Sequence, residues 1–158
     1  MISAFPEPSH QNGYLAQHID VLCKSFKRLI GHDLTLNSDS YEAAKEIFEA
    51  PFVVVSHNTA DDPIFNYGNQ TALSLFEMTW SEFTTLPSRL SAEEPNREAR
   101  SQLLAAVSAY GFMQNYSGLR ISKSGKRFWI EQVTVWNVLD GDRRYYGQAA
   151  LYSNWRYV

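Results

Sequence analysis

The sequence predicts an α+β domain built on a five-stranded antiparallel sheet, and three observations support this fold class. Three consecutive strands, rich in aromatic and β-branched residues, fill the stretch 111–155. Short turn clusters at 122–125 and 140–142 separate them, as in an antiparallel meander. Two shorter strands, at 52–57 and 64–67, come before a helical middle section. We therefore expect strands at both ends of a helical crossover.

The middle strand of the meander, at 126–139, lacks a clean alternation of apolar and polar residues. Strict alternation puts Phe128 and Trp136 on one face and Trp129 and Val133 on the other. A sheet with one solvated face alternates more sharply than this. We therefore expect both faces of the sheet to be covered by the elements that precede it.

We expect the first part of the chain to cover the second face of the sheet. Residues 1–12 predict a loose arm, and helices are predicted at 14–30 and 38–50. Residues 1–50 then form an arm with two flanking helices, and residues 51–158 form the core of one compact domain.

An apolar stripe marks one face of the first predicted helix. Leu15, Ile19, Leu22 and Phe26 follow one another at spacings of four, three and four residues. In one interpretation the stripe covers the outer face of the sheet. In the other it forms a homodimer interface, because the same spacing is that of coiled-coil a and d positions.

Composition and charge restrict the class of function. The 158 residues are 44% hydrophobic and 20% charged, which is ordinary for a globular protein. A net charge of −3 without a basic stripe argues against a nucleic-acid surface. Cys23 is the single cysteine, so an internal disulfide and a multi-cysteine metal site are excluded. Neither a membrane span nor a signal peptide is recognisable, and we expect a cytoplasmic protein.

Several short motifs carry a resemblance to a known family. They are Ser-His-Asn at 56–58, Asp-Pro at 62–63, Tyr-Gly-Asn at 67–69, Leu-Pro-Ser-Arg at 86–89, Ser-Ala-Glu at 91–93, the segment 116–122, Val-Trp at 135–136 and Gly-Gln-Ala-Ala at 147–150. From about residue 18 to residue 155 the chain resembles the MEKHLA domain, which is related to the PAS sensory fold. The motif that gives the family its name is not literally present, and its nearest counterpart lies at 16–20 around His18.

The resemblance implies a PAS-like sheet with a helical crossover on one face and the N-terminal helix pair packed outside. It also implies a cavity between the sheet and the crossover, in which a small molecule binds. The candidate ligand-binding residues lie on strands that can face this cavity: His57, Tyr116, Arg120, Gln132, Trp136 and Gln148.

Alternatives stay open for several of these residues. The Arg120 guanidinium can hold a carboxylate of a ligand, or it can form a cross-strand ion pair with Glu131. Tyr116 and Trp136 can equally be core residues. His57 can bind a ligand, cap the turn that follows it, or join two nearby aspartates around a metal ion. No second histidine or cysteine is near, so we expect no metal site.

The identity of a cofactor is open. Flavin adducts with cysteine are not expected, because the resemblance puts the reactive cysteine in the helical middle and Cys23 lies on the first helix. Haem is not expected, because the resemblance puts the iron-binding histidine on the helix before the meander and the helix predicted at 96–110 contains no histidine. A flavin without a covalent bond, or another small organic ligand, remains possible.

Three functional hypotheses follow. The first is a sensory domain that binds a small molecule and signals through association with itself or a partner. The second is an interaction or dimerisation module with a filled core. The third is a small cavity enzyme that uses His57, Arg120 and Glu131 as acid–base groups. Because nucleotide-loop, zinc-protease and nucleophile-elbow motifs are absent, the sequence favours a non-enzyme and no catalytic residue is assigned.

Overall fold

A six-stranded antiparallel sheet carries the fold in a computed structural model that describes residues 3–158. The strands are β1 (Val53–His57), β2 (Phe65–Gly68), β3 (Phe112–Ile121), β4 (Arg127–Leu139), β5 (Tyr145–Tyr152) and β6 (Asn154–Tyr157). The helices are α1 (Ala16–Ile30), α2 (Ser40–Phe48), α3 (Gln70–Phe76), α4 (Trp80–Phe83) and α5 (Glu94–Tyr110), with 3-10 turns at His10–Leu15 and Ser88–Ser91. Within the described part of the chain, no helix is long and apolar enough to cross a membrane.

The strand order is β2-β1-β5-β4-β3, and every pairing is antiparallel. This confirms the α+β class and the antiparallel meander. The last predicted strand, 145–155, is divided in two at Ser153. After the break, β6 continues beside the first half of β4, from Phe128 to Glu131, while β5 pairs with the second half. The sixth strand therefore comes from a change of partner along β4.

A β-bulge at Gln132 reverses the faces of the sheet on which the later side chains of β4 lie. Gln132 has a φ of +54°, and the pairing with β3 slips by one residue between Ile130 and Val133. One extra residue of this kind breaks the period of two. Ile130 and Val133 therefore share the inner face, together with Phe128. Trp136 lies in the other core, so the strict alternation that put it beside Phe128 is wrong.

β3 is the edge strand next to β4, and it has a bulge of its own. Asn115, with a φ of +60°, is the extra residue where the register shifts between Met113 and Tyr116. Beyond the bulge, Tyr116 and Arg120 stand on one face with Gly118 between them. A side chain at Gly118 would collide with the Tyr116 hydroxyl and the Arg120 guanidinium.

The outer face of the sheet is covered by α1 and α2. Ile19, Leu22 and Phe26 are each at most 2% exposed and pack in one cluster with Trp136. Full burial of side chains of this size contributes roughly 1.5–3 kcal/mol each. The stripe therefore covers the sheet, as one of the two interpretations has it. These three side chains have no free surface for a second copy while α1 stays in place, whereas Leu15 is half-buried.

The inner face is covered by α3, α4 and α5. Phe76, Phe83 and Leu103 pack from the helices against Phe128 and Val133 of β4. This second cluster is separated from the outer one by the sheet. Both faces are thus covered, as the apolar residues on both sides of β4 predict.

Asn69 fixes the start of the helical crossover. Its side-chain oxygen accepts hydrogen bonds from the Ala72 and Val54 amides, at 3.1 and 3.2 Å. Its side-chain nitrogen donates to the Ile47 and Phe52 carbonyls, at 2.9 and 2.8 Å. The predicted N-cap is confirmed, and the same side chain ties α2 and β1 to the beginning of α3.

The N-terminal arm packs onto the domain. The Trp80 indole N–H donates to the Phe5 carbonyl at 2.9 Å, and the Phe5 ring lies 4.9 Å from the His18 ring. Pro8 is buried. The prediction of a loose arm is therefore wrong for residues 3–12, and residues 1 and 2 lie outside the described part of the chain. The sequence could not show the hydrogen bond, because Phe5 and Trp80 are 75 positions apart.

Candidate functional site

The candidate site is a cavity of about 60 Å³ between the inner face of the sheet and α5. Its apolar walls include Val55, Phe65, Phe76, Leu103, Ile130 and Val133. A volume of this size holds a few water molecules, since one water needs about 10–15 Å³. Pockets for drug-sized ligands measure roughly 300–1,000 Å³. In this arrangement the cavity therefore accommodates a molecule of only a few heavy atoms.

Four of the six candidate ligand-binding residues line this cavity. They are His57 at the end of β1, Tyr116 and Arg120 on β3, and Gln148 on β5. Three separate strands thus bring polar groups to one place. The prediction that they face a common cavity agrees with their positions, while ligand binding itself stays a prediction.

Gln132 and Trp136 lie elsewhere. Trp136 is fully buried on the outer face, where its ring is 4.9 Å from that of Phe26 and its N–H donates to the Leu22 carbonyl at 3.2 Å. Gln132 is exposed at the bulge, and its side-chain oxygen accepts from the Asn154 amide at 2.6 Å. The bulge is the physical reason for both, because it turns these side chains away from the inner face.

His57 belongs to a buried polar network. Its Nδ1 lies 3.1 Å from the Ser88 hydroxyl, and its Nε2 lies 3.2 Å from the Gln148 side-chain oxygen. An amide oxygen only accepts, so Nε2 carries the proton and Nδ1 accepts from Ser88. Burial first, and then the positive charge of Arg100, lower the pKa of His57 to about 4, and the hydrogen bond to Gln148 opposes this shift. The imidazole is therefore neutral near pH 7.

Gln148 connects the cavity to α5. Its amide nitrogen donates to the Asn137 side-chain oxygen at 3.0 Å, the Ser108 hydroxyl at 3.2 Å and the Leu104 carbonyl at 3.3 Å. Ser108 and Leu104 belong to α5. A change at His57 can therefore reach α5 through one intervening side chain.

Arg100 is a cavity residue that the sequence analysis missed. It lies on α5 and is 8% exposed, and its Nη2 donates to the Ser88 hydroxyl at 2.8 Å. Leu103, Leu104 and Val107 follow it at helical spacings on the same side. A charged residue within this apolar stripe was the available signal. Burial first, and then the charge of Arg120, lower the pKa of Arg100 to about 10, so it remains charged at neutral pH.

Arg120 is buried to the same degree, at 8% exposed. Its Nη1 donates to the Leu119 carbonyl at 2.9 Å and its Nη2 to the Tyr116 hydroxyl at 3.3 Å. The predicted alternative, an ion pair with Glu131, is wrong. Glu131 lies on β4 beside β6 and accepts from Arg156 at 2.6 Å.

The aspartates near His57 do not approach it as metal ligands. Asp62 accepts from the Arg89 guanidinium at 3.1 Å on the exposed surface. Among residues 3–158 there is no group of three or more histidine, cysteine, aspartate or glutamate side chains that could hold a metal ion.

Comparison with known protein families identifies the family of this chain. A family model described as the MEKHLA domain matches residues 16–157. The chain belongs to the MEKHLA domain family. Among curated relatives, the homeobox-leucine zipper protein ATHB-14 of Arabidopsis thaliana is 29% identical over 103 residues, which cover 65% of this chain. This chain spans 12–18% of the length of the curated homeobox-leucine zipper relatives it matches.

Solved structures establish the PAS-like fold of this MEKHLA domain. A PAS domain from Colwellia psychrerythraea superposes with a TM-score of 0.61 at 16% identity, covering 74% of this chain and 94% of that one. A light-oxygen-voltage domain studied with a flavin analogue gives a TM-score of 0.59 at 18% identity, covering 75% of this chain and 85% of that one. Sequence identities this low support a shared fold and nothing further.

Proposed function

We propose that this MEKHLA domain is a sensory module that binds a small molecule in the cavity beside α5. The observation that carries the proposal is the convergence of buried polar and charged side chains on a cavity with apolar walls. Apolar walls with a few convergent polar groups are the usual composition of a ligand site. In a core that serves stability alone, arginine side chains are almost never buried unless they are paired.

The ligand we propose is smaller than a flavin. A three-ring flavin does not fit a cavity of about 60 Å³ without displacement of α5 or the β3 side chains. A covalent flavin adduct also lacks its nucleophile, because Cys23 lies on α1 across the sheet. Burial and two nearby aspartates raise the pKa of Cys23 to about 12, so it is protonated at neutral pH.

The proposed signal is a shift of α5 relative to the sheet, followed by association with a second copy or a partner. Gln148 supports this route, because it bonds both His57 in the cavity and the α5 residues Leu104 and Ser108. The outer stripe of α1 is not assigned to the output while it is covered by the sheet. Homodimerisation and the cytoplasmic location remain predictions.

A thermal-shift screen tests the proposal with a panel of small anionic, neutral and cationic organic molecules. The control is Ala150→Leu, which fills part of the cavity from β5. A ligand at ten times its dissociation constant stabilises a protein by about 1.4 kcal/mol. For a domain of this size that raises Tm by roughly 3–6 °C.

We expect at least one compound to raise the Tm of the wild type and not that of the Ala150→Leu variant. Sedimentation with that compound then measures whether association changes. If no compound distinguishes the two proteins, the sensor proposal is wrong, and a constitutive complex of the native chain would favour an interaction module. No observation favours the enzyme hypothesis, because Glu131 lies outside the cavity.

A further inference from the structure

Two buried guanidinium groups share the cavity without an acidic partner. Arg100 and Arg120 both line it, and each is 8% exposed. Among residues 3–158, none of the ion pairs within 4.0 Å includes either of them. Buried charges are normally paired, because an unpaired charge in a dry interior is strongly unfavourable. This arrangement is therefore incomplete with respect to negative charge.

The hydrogen bonds of the two side chains are incomplete as well. A guanidinium carries five N–H donors. Within the described residues, Arg100 makes one such bond, to Ser88, and Arg120 makes two, to Leu119 and Tyr116. Most of the donors thus remain for another molecule. The Tyr116 hydroxyl, which accepts from Arg120, still has its own proton to donate.

Nothing else in the cavity neutralises this charge. His57 is neutral near pH 7 because burial and Arg100 lower its pKa to about 4. Asp62 acts on Arg100 only at long range, since its carboxylate is bound to Arg89 at the surface. Arg120 and Arg100 repel each other, which is one cause of the lowered pKa of Arg100. The cavity is therefore positive.

We propose that the cavity binds a small organic carboxylate, with its anionic end between Arg100 and Arg120. A carboxylate matches the planar fork of a guanidinium and accepts several charge-assisted hydrogen bonds. The short hydrocarbon part lies against Leu103 and Val133. The volume of about 60 Å³ limits the ligand to a few heavy atoms. This inference rests on the proposed sensory function and specifies the class of its ligand.

The test is an amide NMR titration of the full chain with sodium butyrate, neutral butyramide and sodium phosphate. Butyramide has nearly the shape of butyrate without its charge, and phosphate has charge without a hydrocarbon part. The variants are Arg100→Gln and Arg120→Gln. Arg89→Gln is the matched control, because it removes one positive charge beside Ser88 but at the exposed surface.

We expect butyrate to shift amide signals around the cavity, on β3 and α5. Butyramide and phosphate should each bind at least about tenfold more weakly, and each cavity variant should weaken butyrate binding by about tenfold or more. The Arg89→Gln variant should bind butyrate like the wild type.

A second measurement covers the case in which a glutamine variant misfolds. Without ligand, Arg100→Met removes an unpaired buried charge and one of two repelling groups, so we expect Tm to rise by a few degrees. An arginine with a purely structural role would give a lower Tm instead, which would contradict the proposal.

The carboxylate class is overturned if butyramide or phosphate binds as well as butyrate, if the cavity variants bind butyrate unchanged, or if butyrate causes no shift. Neutral or cationic compounds that distinguish the wild type from Ala150→Leu would then leave the sensory function standing. If no compound does so, both proposals fail.

Discussion

The two faces of the sheet each bury one histidine, and the surroundings of the two histidines differ. On the outer face, His18 has both nitrogens occupied, by the Tyr146 hydroxyl at 2.7 Å and the Ser56 hydroxyl at 3.0 Å. On the inner face, His57 faces a cavity that also holds two unpaired guanidinium groups. Burial lowers the pKa of both histidines to about 4. Both nitrogens of His57 are also occupied, so the difference between the two faces lies in the two unpaired charges beside it.

This contrast separates a stabilising region from a candidate functional one. On the outer side, aromatic and aliphatic side chains of α1 and α2 form one packed cluster, and one buried Tyr67 hydroxyl lacks a hydrogen-bond partner among residues 3–158. A missing neutral hydrogen bond costs about 1–3 kcal/mol, much less than a buried unpaired charge. Functional sites are where proteins tolerate such local instability. The arginines therefore make the inner face the candidate functional one.

The largest expected loss of stability comes from removing a core side chain on the outer face. Trp136→Ala removes the largest fully buried side chain and its bond to the Leu22 carbonyl. We expect the free energy of unfolding, measured with urea, to fall by roughly 3–5 kcal/mol. Tyr116→Ala, at a half-buried position beside the cavity, should cost less than half as much. Equal losses would contradict the distinction between the faces.

A pH titration tests the two histidines. The folded pKa values of His18 and His57, about 4, lie below the ordinary value of 6.5. The unfolded chain therefore binds protons first as the pH falls. The free energy of unfolding should be highest above about pH 6.5 and decrease towards pH 4, by up to roughly 3 kcal/mol for each histidine. A flat profile between these values would contradict the burial of both imidazoles.

The same titration distinguishes the faces when it is done variant by variant. His18→Gln and His57→Gln should each remove about half of the loss between pH 6.5 and 4. With butyrate in the cavity, NMR should show the pKa of His57 rising, because the carboxylate offsets the charge of Arg100. The pKa of His18, on the other face, should stay where it is.

A smaller effect is expected at Gly118. An added methyl group would displace the Tyr116 hydroxyl and the Arg120 guanidinium, so Gly118→Ala should lower the free energy of unfolding by about 1–3 kcal/mol. It should also weaken butyrate binding in calorimetry. Gly141→Ala is the matched control, because nothing lies near its added carbon and its backbone is unstrained. The control should be neutral or slightly stabilising, by up to about 1 kcal/mol.

The smallest effect is expected at Glu131, outside both cores. Its partner Arg156 is exposed, so Glu131→Gln should cost only about 0.2–1 kcal/mol in urea unfolding. Butyrate affinity should be unchanged. A large loss of butyrate binding would indicate that Glu131 lies in the cavity and would contradict its contact with Arg156.

Much of the fold was predictable because its signals are local. The residues next to Asn69 are enough to predict it as a helix cap, and the turn clusters and strand composition predict the meander. Trp136 and Gln132 were assigned to the wrong face because side chains alternate between the two faces only along a strand that has no extra residue. The bulge in β4 supplies such a residue. The bulge at Gln132 is stabilised by Asn154, which comes from a strand twenty-two residues later. No local pattern indicates such a contact.

The site was predictable in part for a similar reason. His57, Tyr116, Arg120 and Gln148 lie on strands whose inner face the meander defines. Arg100 was overlooked because a single arginine on a long helix usually reaches solvent, although its place in the apolar stripe of α5 was a signal of burial. The absence of a carboxylate beside it depends on the whole fold and cannot be read from sequence.

The bulge in β3 also bears on how crowded copies of this protein behave. Within residues 3–158, β3 pairs on one side only, so its other edge presents free main-chain groups. Such edges recruit foreign strands, and irregular geometry discourages this. Asn115, with its φ of +60°, bends the edge midway. Deletion of Asn115 would straighten it and open a route to strand-by-strand aggregation.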